Sequence, residues 1–223
     1  MEQIVSFSDA HLGNYYARSK TFLQTLERHE GAKQLISLGD LFERDGVLSA
    51  TEWKIIEFLR AYREKIVFIE GNHDPIEGGI IKRFIGAKVR KKYVVTINGK
   101  KFCFRHGHQF HDSYGIYNWR IVDRVSLHLL RFLQCFKNTP VGRIVKACHT
   151  KFSERIAKKA KQYAYQNKFD VIVCAHTHQV FADCAIQPHY YNCGGFLTFD
   201  DTCSYVTVNE LGEILHHHVD PID

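Results

Sequence analysis

The sequence contains no run approaching the roughly 20 uncharged apolar residues of a membrane span. Its first residues, Met1-Glu2-Gln3, lead straight into a strand pattern, without the basic start and apolar core of a secretory signal. There is no CxxC pair. The seven cysteines (Cys103, Cys135, Cys148, Cys174, Cys184, Cys193 and Cys203) are scattered and odd in number. That argues against a disulfide framework and a zinc ribbon, and for a reducing compartment in which most cysteines are small core residues. No internal repeat or low-complexity tract occurs. These absences predict a cytoplasmic protein, at most peripheral to a membrane.

What is present is an ordinary globular chain of 223 residues, 45% hydrophobic and 24% charged, enough for one sizeable core. The net charge of +6 is unevenly spread. Between Ser113 and Tyr165 eleven Lys and Arg face two acids, Asp123 and Glu154, a local balance of +9 that leaves the rest of the chain at about −3.

The first half alternates strand and helix patterns. Strands are predicted at 3–8, 34–38 and 66–69, with helices at 18–29 and 51–64, the second capped by Ser49 or Thr51. This β-α-β-α-β order implies a parallel sheet. A short helical piece follows at 80–85. Asn98-Gly99 between two β-rich runs marks a hairpin, where the fold is expected to change from parallel to antiparallel. Residues 113–166 carry an apolar stripe at three- and four-residue spacing, broken at Thr139-Pro140 and Gly142, and are expected to form a two-helix insertion. A strand at 169–174 resumes the sheet, and short strands follow at 180–186, 189–191, 203–208 and 213–219. His216, His217 and His218 fall inside the last of these. A strand's alternation prevents all three from facing one ion, so they are packing and surface residues.

The exits of these strands carry the chemistry. Asp9-Ala10-His11, Gly39-Asp40, Gly71-Asn72-His73-Asp74, His106-Gly107-His108 and Ala175-His176-Thr177-His178 each follow an apolar run. Strand carboxyl ends are where α/β sheets place ligands. Asp9, His11, Asp40, Asn72, His106, His176 and His178 form a mixed carboxylate, amide and imidazole set without thiolates. Such a set suits Mn²⁺, with Fe²⁺ or Zn²⁺ as alternatives, rather than Ca²⁺. Seven ligands exceed one tetrahedral ion and suit two ions about 3.5–4 Å apart sharing a carboxylate.

In order and type these five segments resemble the motifs of calcineurin-like metallophosphoesterases. The resemblance implies a single domain over residues 1–223, a four-layer αββα sandwich with a two-helix cap at about 113–166. It implies that Asp9, His11, Asp40 and His178 hold one ion, that Asp40, Asn72, His106 and His176 hold the other, and that Asp40 bridges. A bridging hydroxide would attack phosphorus, His73 would protonate or stabilise the leaving oxygen, and Asp74 would orient the other ring nitrogen of His73. Ala175 stands where the family usually has Gly. His108 reads as structural or as a hydrogen-bonding support for the site.

Asp40-Leu41-Phe42-Glu43, the insertion and the turn Tyr191-Asn192-Cys193-Gly194-Gly195-Phe196 are similar to the UDP-2,3-diacylglucosamine hydrolase-like branch, which cleaves a nucleotide-lipid pyrophosphate. His73, where that branch commonly has Arg, and His106-Gly107-His108, where it has His-Gly-Asp, depart from it. The insertion has two readings: a cradle for an acyl chain, a diphosphate or anionic lipid, or a helix pair packed on the sandwich with a solvated basic face. Arg120, Arg124, Arg131, Lys158, Lys159 and Lys161 are its candidate anion contacts. The same chemistry on nucleic acid and a non-catalytic metal-binding scaffold are the alternative functions.

Overall fold

The early strands are apolar on both faces because both faces are covered. In β1 (Glu2–Phe7) Ile4 lies on one side and Val5 and Phe7 on the other. β2 (Gln34–Ser37) divides in the same way between Ile36 and Leu35, and β3 (Ile66–Ile69) between Val67/Ile69 and Ile66/Phe68. The computed structural model describes residues 2–43, 46–74, 79–111, 139–197 and 203–222.

Two sheets stack. The first has the order β11-β10-β1-β2-β3-β4, with β1, β2, β3 and β4 (Val89–Arg90) parallel and with β10 (Cys203–Asn209) and β11 (Ile214–Val219) antiparallel at the edge. The second has the order β5-β6-β7-β9-β8. It begins with the expected hairpin of β5 (Tyr93–Ile97) and β6 (Lys100–Phe104). The chain does not turn antiparallel from there on, as its sequence suggested. β6, β7 (Val171–Cys174) and β9 (His189–Cys193) are parallel, and only the edge pairings to β5 and to β8 (Val180–Asp183) are antiparallel. The parallel crossovers carry the chain from β6 to β7 through a helix, which a local hairpin signal cannot reveal.

Three apolar interfaces hold four layers. Between the sheets lie Ile4, Ile36, Val67, Phe102, Phe104 and Val173. On the outer face of the first sheet, α1 (Ser19–Arg28), α2 (Ala50–Ala61) and α3 (Gly79–Phe84) contribute Phe22, Leu26, Ile55, Leu59 and Ile81. Ser49 caps α2 through a capping box with Glu52. On the outer face of the second sheet, α4 (Pro140–Gln166) sets Ile156, Ala157, Ala160 and Ala164 against Ile172, Cys174 and Tyr190. Its C-terminal half is therefore the fourth layer of an αββα sandwich rather than a detached cap. The small alanines let the helix lie close to the strands. The first helix expected in the insertion, with Arg120, Arg124 and Arg131, lies outside the described residues. No helix among the described residues is long and apolar enough to cross a membrane.

Candidate metal centre

The loops leaving β1 and β2 continue the parallel pairing past the strands. Asp9 N donates to Gly39 O (3.1 Å), His11 N to Asp40 O (3.0 Å) and Leu12 N to Leu41 O (2.8 Å). This ladder sets Asp9 and His11 beside Asp40. The loop after β3 closes on Asp40 from the other side, where His73 N donates to Asp40 Oδ1 (2.7 Å). That approach requires glycine at 71: a Cβ there would overlap the carboxylate and backbone nitrogen of Asp40. From the second sheet, His106 follows β6, and His176 and His178 follow β7. His176 N donates to Asp9 Oδ2 (3.2 Å), joining the two sheets' loops.

Among the described residues, possible donor atoms converge in three sets, Asp9/His11/His178, Asp40/His106/His176 and His11/Glu43/His73, each with ligand atoms within 4.8 Å of one another; the first two are made of the residues expected to hold metal. Three imidazoles are oriented alike. His106 Nδ1 donates to Leu38 O (2.7 Å) and His178 Nδ1 to Leu197 O (2.6 Å). His11 Nδ1 donates to Glu43 Oε2 (3.3 Å). Each therefore turns Nε2 inward. His11 Nε2 lies 3.9 Å from both Asp9 Oδ1 and Asp40 Oδ2, His178 Nε2 3.4 Å from Asp9 Oδ1, and His106 Nε2 3.2 Å from Asp40 Oδ2 and 3.0 Å from Asn72 Oδ1. Nδ1 tied to an acceptor with Nε2 presented is how imidazole ligands are usually held.

Two of these atoms, Asp9 Oδ1 and His11 Nε2, are buried with no hydrogen-bond partner among the described residues. Burying a carboxylate oxygen and an imidazole nitrogen unsatisfied costs about 1–3 kcal/mol each unless something is bound there. At 3.9 Å apart the two atoms suit a shared divalent cation, and the all-nitrogen-and-oxygen donor set fits borderline metals.

The electrostatics agree. Burial pushes the pKa of His11 and His176 down and that of His178 to about 4, so these rings are neutral and able to ligate at neutral pH. Burial also raises Asp9. It works against the charges on Asp40 and His106 as well, but their mutual attraction overrides it. Asp40 stays well below the usual carboxylate range, and His106 rises to about 9. A metal cation would take over the role of that imidazolium.

Asp74 does not orient His73, as the sequence led us to expect. It is buried, and its oxygens accept the backbone N–H groups of Gly71 (2.9 Å), Asp40 (3.0 Å) and Leu41 (3.2 Å). It clamps two ligand-bearing loops together. Burial, and then the Asp40 charge, raise its pKa to about 6. The carboxylate facing His73 is Glu43, whose Oε1 accepts from His73 Nδ1 at 3.3 Å. Burial opposes the Glu43 charge, but hydrogen bonds from His11 and His73 outweigh it and hold its pKa below the carboxylate range. The sequence contained Glu43 three positions after Asp40; its pairing with both histidines depends on the loop crossing after β1.

His108 is buried beside His106 (ring centroids 5.3 Å), and burial together with that neighbour's charge lowers its pKa to about 3. α4 borders the centre at Phe152, whose ring lies 6.4 Å from that of His176, and at Ser153, which donates to Gln179 Oε1 (2.9 Å). Neither residue had a sequence signal. Asn192 braces the loop of His176 and His178, with its Nδ2 donating to Ala175 O (2.7 Å) and Thr177 Oγ1 (3.2 Å). Gly195 lets Phe196 and Leu197 reach the Asp9 carbonyl. Of the basic candidates on α4, Lys161 is ion-paired with Asp183 (2.8 Å), while Lys158 is exposed and Lys159 half-buried. The three strand histidines divide as expected. His216 Nε2 donates to Asn192 O (2.9 Å), His217 stacks on Tyr205 and His218 is exposed.

The model of the calcineurin-like phosphoesterase family matches residues 3–180. No curated protein matches the sequence. Solved structures with the same fold include YfcE, a phosphoesterase from E. coli, which is 16% identical, with 98% of each chain covered and a TM-score of 0.52. An archaeal phosphodiesterase is 16% identical over 97% of this chain and 99% of its own, with a TM-score of 0.54. Vps29 from Entamoeba histolytica, complexed with zinc, is 15% identical over 97% and 98%, with a TM-score of 0.50.

Proposed function

The chain belongs to the calcineurin-like phosphoesterase family, and from that premise we propose that it is a dimetal-dependent hydrolase of a phosphodiester or pyrophosphate. The observation that carries this reading is the pair of unsatisfied buried atoms, Asp9 Oδ1 and His11 Nε2, facing inward among oriented imidazoles. Asp9, His11 and His178 would hold one ion and Asn72, His106 and His176 the other, with Asp40 shared. Bound there, two divalent cations supply an acidified water and neutralise charge on phosphoryl oxygens.

The chain's own residues supply the rest. Asp74 fixes the Asp40 and Asn72 loops. Glu43 holds Nδ1 of His73 and so fixes the ring, whose Nε2 would deliver a proton or a hydrogen bond to the leaving oxygen. The same carboxylate, placed also on His11, couples the orientation of the acid to that of a metal ligand.

Mn²⁺ is the expected ion, with Fe²⁺ or Zn²⁺ as alternatives. A UDP-2,3-diacylglucosamine-like substrate is supported by the Asp40-Leu41-Phe42-Glu43 and Asn192 segments. The exposed basic face of α4, including Arg143, Lys146, Lys151, Arg155 and Lys158, supports peripheral contact with anionic lipid from the cytoplasmic side. The same face supports nucleic acid as the alternative substrate, which steep salt dependence of binding to DNA or RNA would favour. Likeness in fold to Vps29 favours a second reading, a metal-binding scaffold.

The test is turnover of bis-p-nitrophenyl phosphate, p-nitrophenyl phosphate and UDP-2,3-diacylglucosamine by the Mn²⁺-loaded protein, alongside His73→Ala. The enzyme reading expects turnover that the substitution lowers by about 10²–10⁴-fold while bound metal stays near the wild-type level. Metal without turnover on any substrate would favour the scaffold.

A further inference from the structure

The third donor set, His11, Glu43 and His73, adjoins the two assigned to the ion pair, and Glu43 and His73 lie outside the seven expected ligands. The spacing within it is unlike that of the hydrogen bonds around it. His106 and His178 hold their Nδ1 atoms 2.7 and 2.6 Å from backbone carbonyls. The Glu43 carboxylate is a stronger acceptor, yet Oε2 stands 3.3 Å from His11 Nδ1 and Oε1 3.3 Å from His73 Nδ1. A charge-assisted bond closes to about 2.7–2.9 Å. Zinc holds imidazole nitrogen and carboxylate oxygen at about 2.0–2.2 Å in a tetrahedron, which sets two such ligands about 3.3–3.5 Å apart. The spacing is that of two ligands on one small ion.

The two carboxylate oxygens are not equivalent. Oε2 also accepts from Asn14 Nδ2 (3.0 Å). His11 turns Nε2 toward Asp9 and Asp40, so its neutral ring offers Nδ1–H as a donor and has no lone pair for another ion. Oε1 faces His73. Both side chains reach solvent, His73 at 14% and Glu43 at 18% exposure, so an ion can enter and water can complete its coordination. The His73 ring meets that of His11 edge-on (4.7 Å, 75°), which puts the pair at the rim of the first ion site.

We propose that Glu43 Oε1 and His73 Nδ1 form a third metal site, selective for zinc, whose occupation shuts off the dimetal centre. Zinc is the ion because it accepts four-coordination and binds imidazole more tightly than Mn²⁺ does. Its binding displaces the proton from His73 Nδ1. The ring then keeps only the Nε2 proton, does not become an imidazolium, and has no readily released proton for a leaving oxygen. The third ion binds after the first two and more weakly, because it has two protein ligands and two cations nearby. The inhibition rests on the hydrolase reading above; binding of the ion does not.

Equilibrium dialysis of the full-length protein against buffered free Zn²⁺, with bound metal counted by elemental analysis, tests the site. Two equivalents are expected first and a third at higher free zinc. Turnover of bis-p-nitrophenyl phosphate should fall by about 10²-fold as the third binds, the low end of the cost of losing a general acid. His73→Ala and Glu43→Gln should each stop at two equivalents over the same range, with the melting temperature verifying that each is folded. A wild type that stops at two overturns the proposal. So does a further equivalent that either variant retains, which would assign the extra ion to other histidines or to cysteines. A third equivalent that leaves turnover unchanged overturns the inhibitory role. A protein inert toward bis-p-nitrophenyl phosphate at two equivalents that still takes up a third ion dependent on His73 keeps the site and loses the hydrolase reading.

Discussion

Gly71→Ala tests the centre without touching a donor atom. Position 71 does not lie in the left-handed region, so its backbone accommodates alanine without strain. The added methyl would meet Asp40, overlapping its Oδ1 and backbone nitrogen and lying 2.8 Å from its Cγ. Restoring the Cγ contact alone to an ordinary 3.4 Å requires a shift of about 0.6 Å, and the backbone nitrogen requires more. No flexible side-chain end can give way, because Asp40 is held by its own backbone bonds to Asp74 and His11. Metal ligation tolerates about 0.2 Å. Overpacking of this kind costs about 1–3 kcal/mol in stability. A misplacement approaching 1 Å costs about 10²-fold in rate. The expected result is loss of at least one of about two bound metal equivalents by elemental analysis, a lowered melting temperature, and turnover reduced by about 10²-fold or more. Gly31→Ala, where a Cβ meets nothing within 4 Å, is the control and should behave as wild type. Full metal occupancy and wild-type turnover in Gly71→Ala would show that the loops after β2 and β3 do not converge as described.

Asp74→Asn should destabilise the protein by about 2–3 kcal/mol, because an amide keeps one acceptor oxygen and turns a donor toward N–H groups that the carboxylate now serves; an unchanged calorimetric melt would contradict the clamping role. Glu43→Gln should lower turnover by about 10–100-fold and weaken metal binding measurably, since it supports both His73 and His11; competition with a fluorescent chelator reads the affinity. Chelation should abolish turnover and lower the melting temperature. Restoring metal at about 100 times its Kd should return about 2.7 kcal/mol per site, and a melt indifferent to metal would contradict the ligand assignment.

The parallel start of the fold was readable because each of β1 to β3 is a short β-branched and aromatic run buried on both faces, a property of composition that needs no knowledge of partners. β4 was missed because two residues on the edge of a sheet have no periodicity. The parallel pairings of β6 with β7 and of β7 with β9 were missed because the first joins Phe102 to Val171 across some seventy residues and the second Val171 to His189 across β8, while the Asn98-Gly99 signal is local. The donor residues were readable one strand exit at a time. Their supports were not: Asp74 and Glu43 look interchangeable in sequence as acids near a ligand. Only the crossing of loops decides that one takes backbone N–H groups and the other takes imidazoles.

The legibility of the donors has a second cause, in the backbone. Asp9 (φ 51), His11 (46), Asp40 (51), His176 (72) and His178 (54) are all left-handed, and elsewhere among the described residues only Asn98 and Lys168 share that region without being glycine. Each left-handed residue costs roughly 1–2 kcal/mol. The sequence places several of these costs in one spot where Asp9, Asp40 and Asp74 are also buried together. The conformation accomplishes something that an extended strand cannot. In a strand, residues two apart sit nearly 7 Å from one another on one face. Coiled through the left-handed region, Asp9 and His11 bring Oδ1 and Nε2 to 3.9 Å, close enough to share one small cation. Asp, Asn and His are also the side chains that tolerate the left-handed region best. At these exits the demand for a hard or borderline donor and the demand for a tolerant backbone select the same residue types, so a loop built to bend this sharply announces its ligands in the sequence.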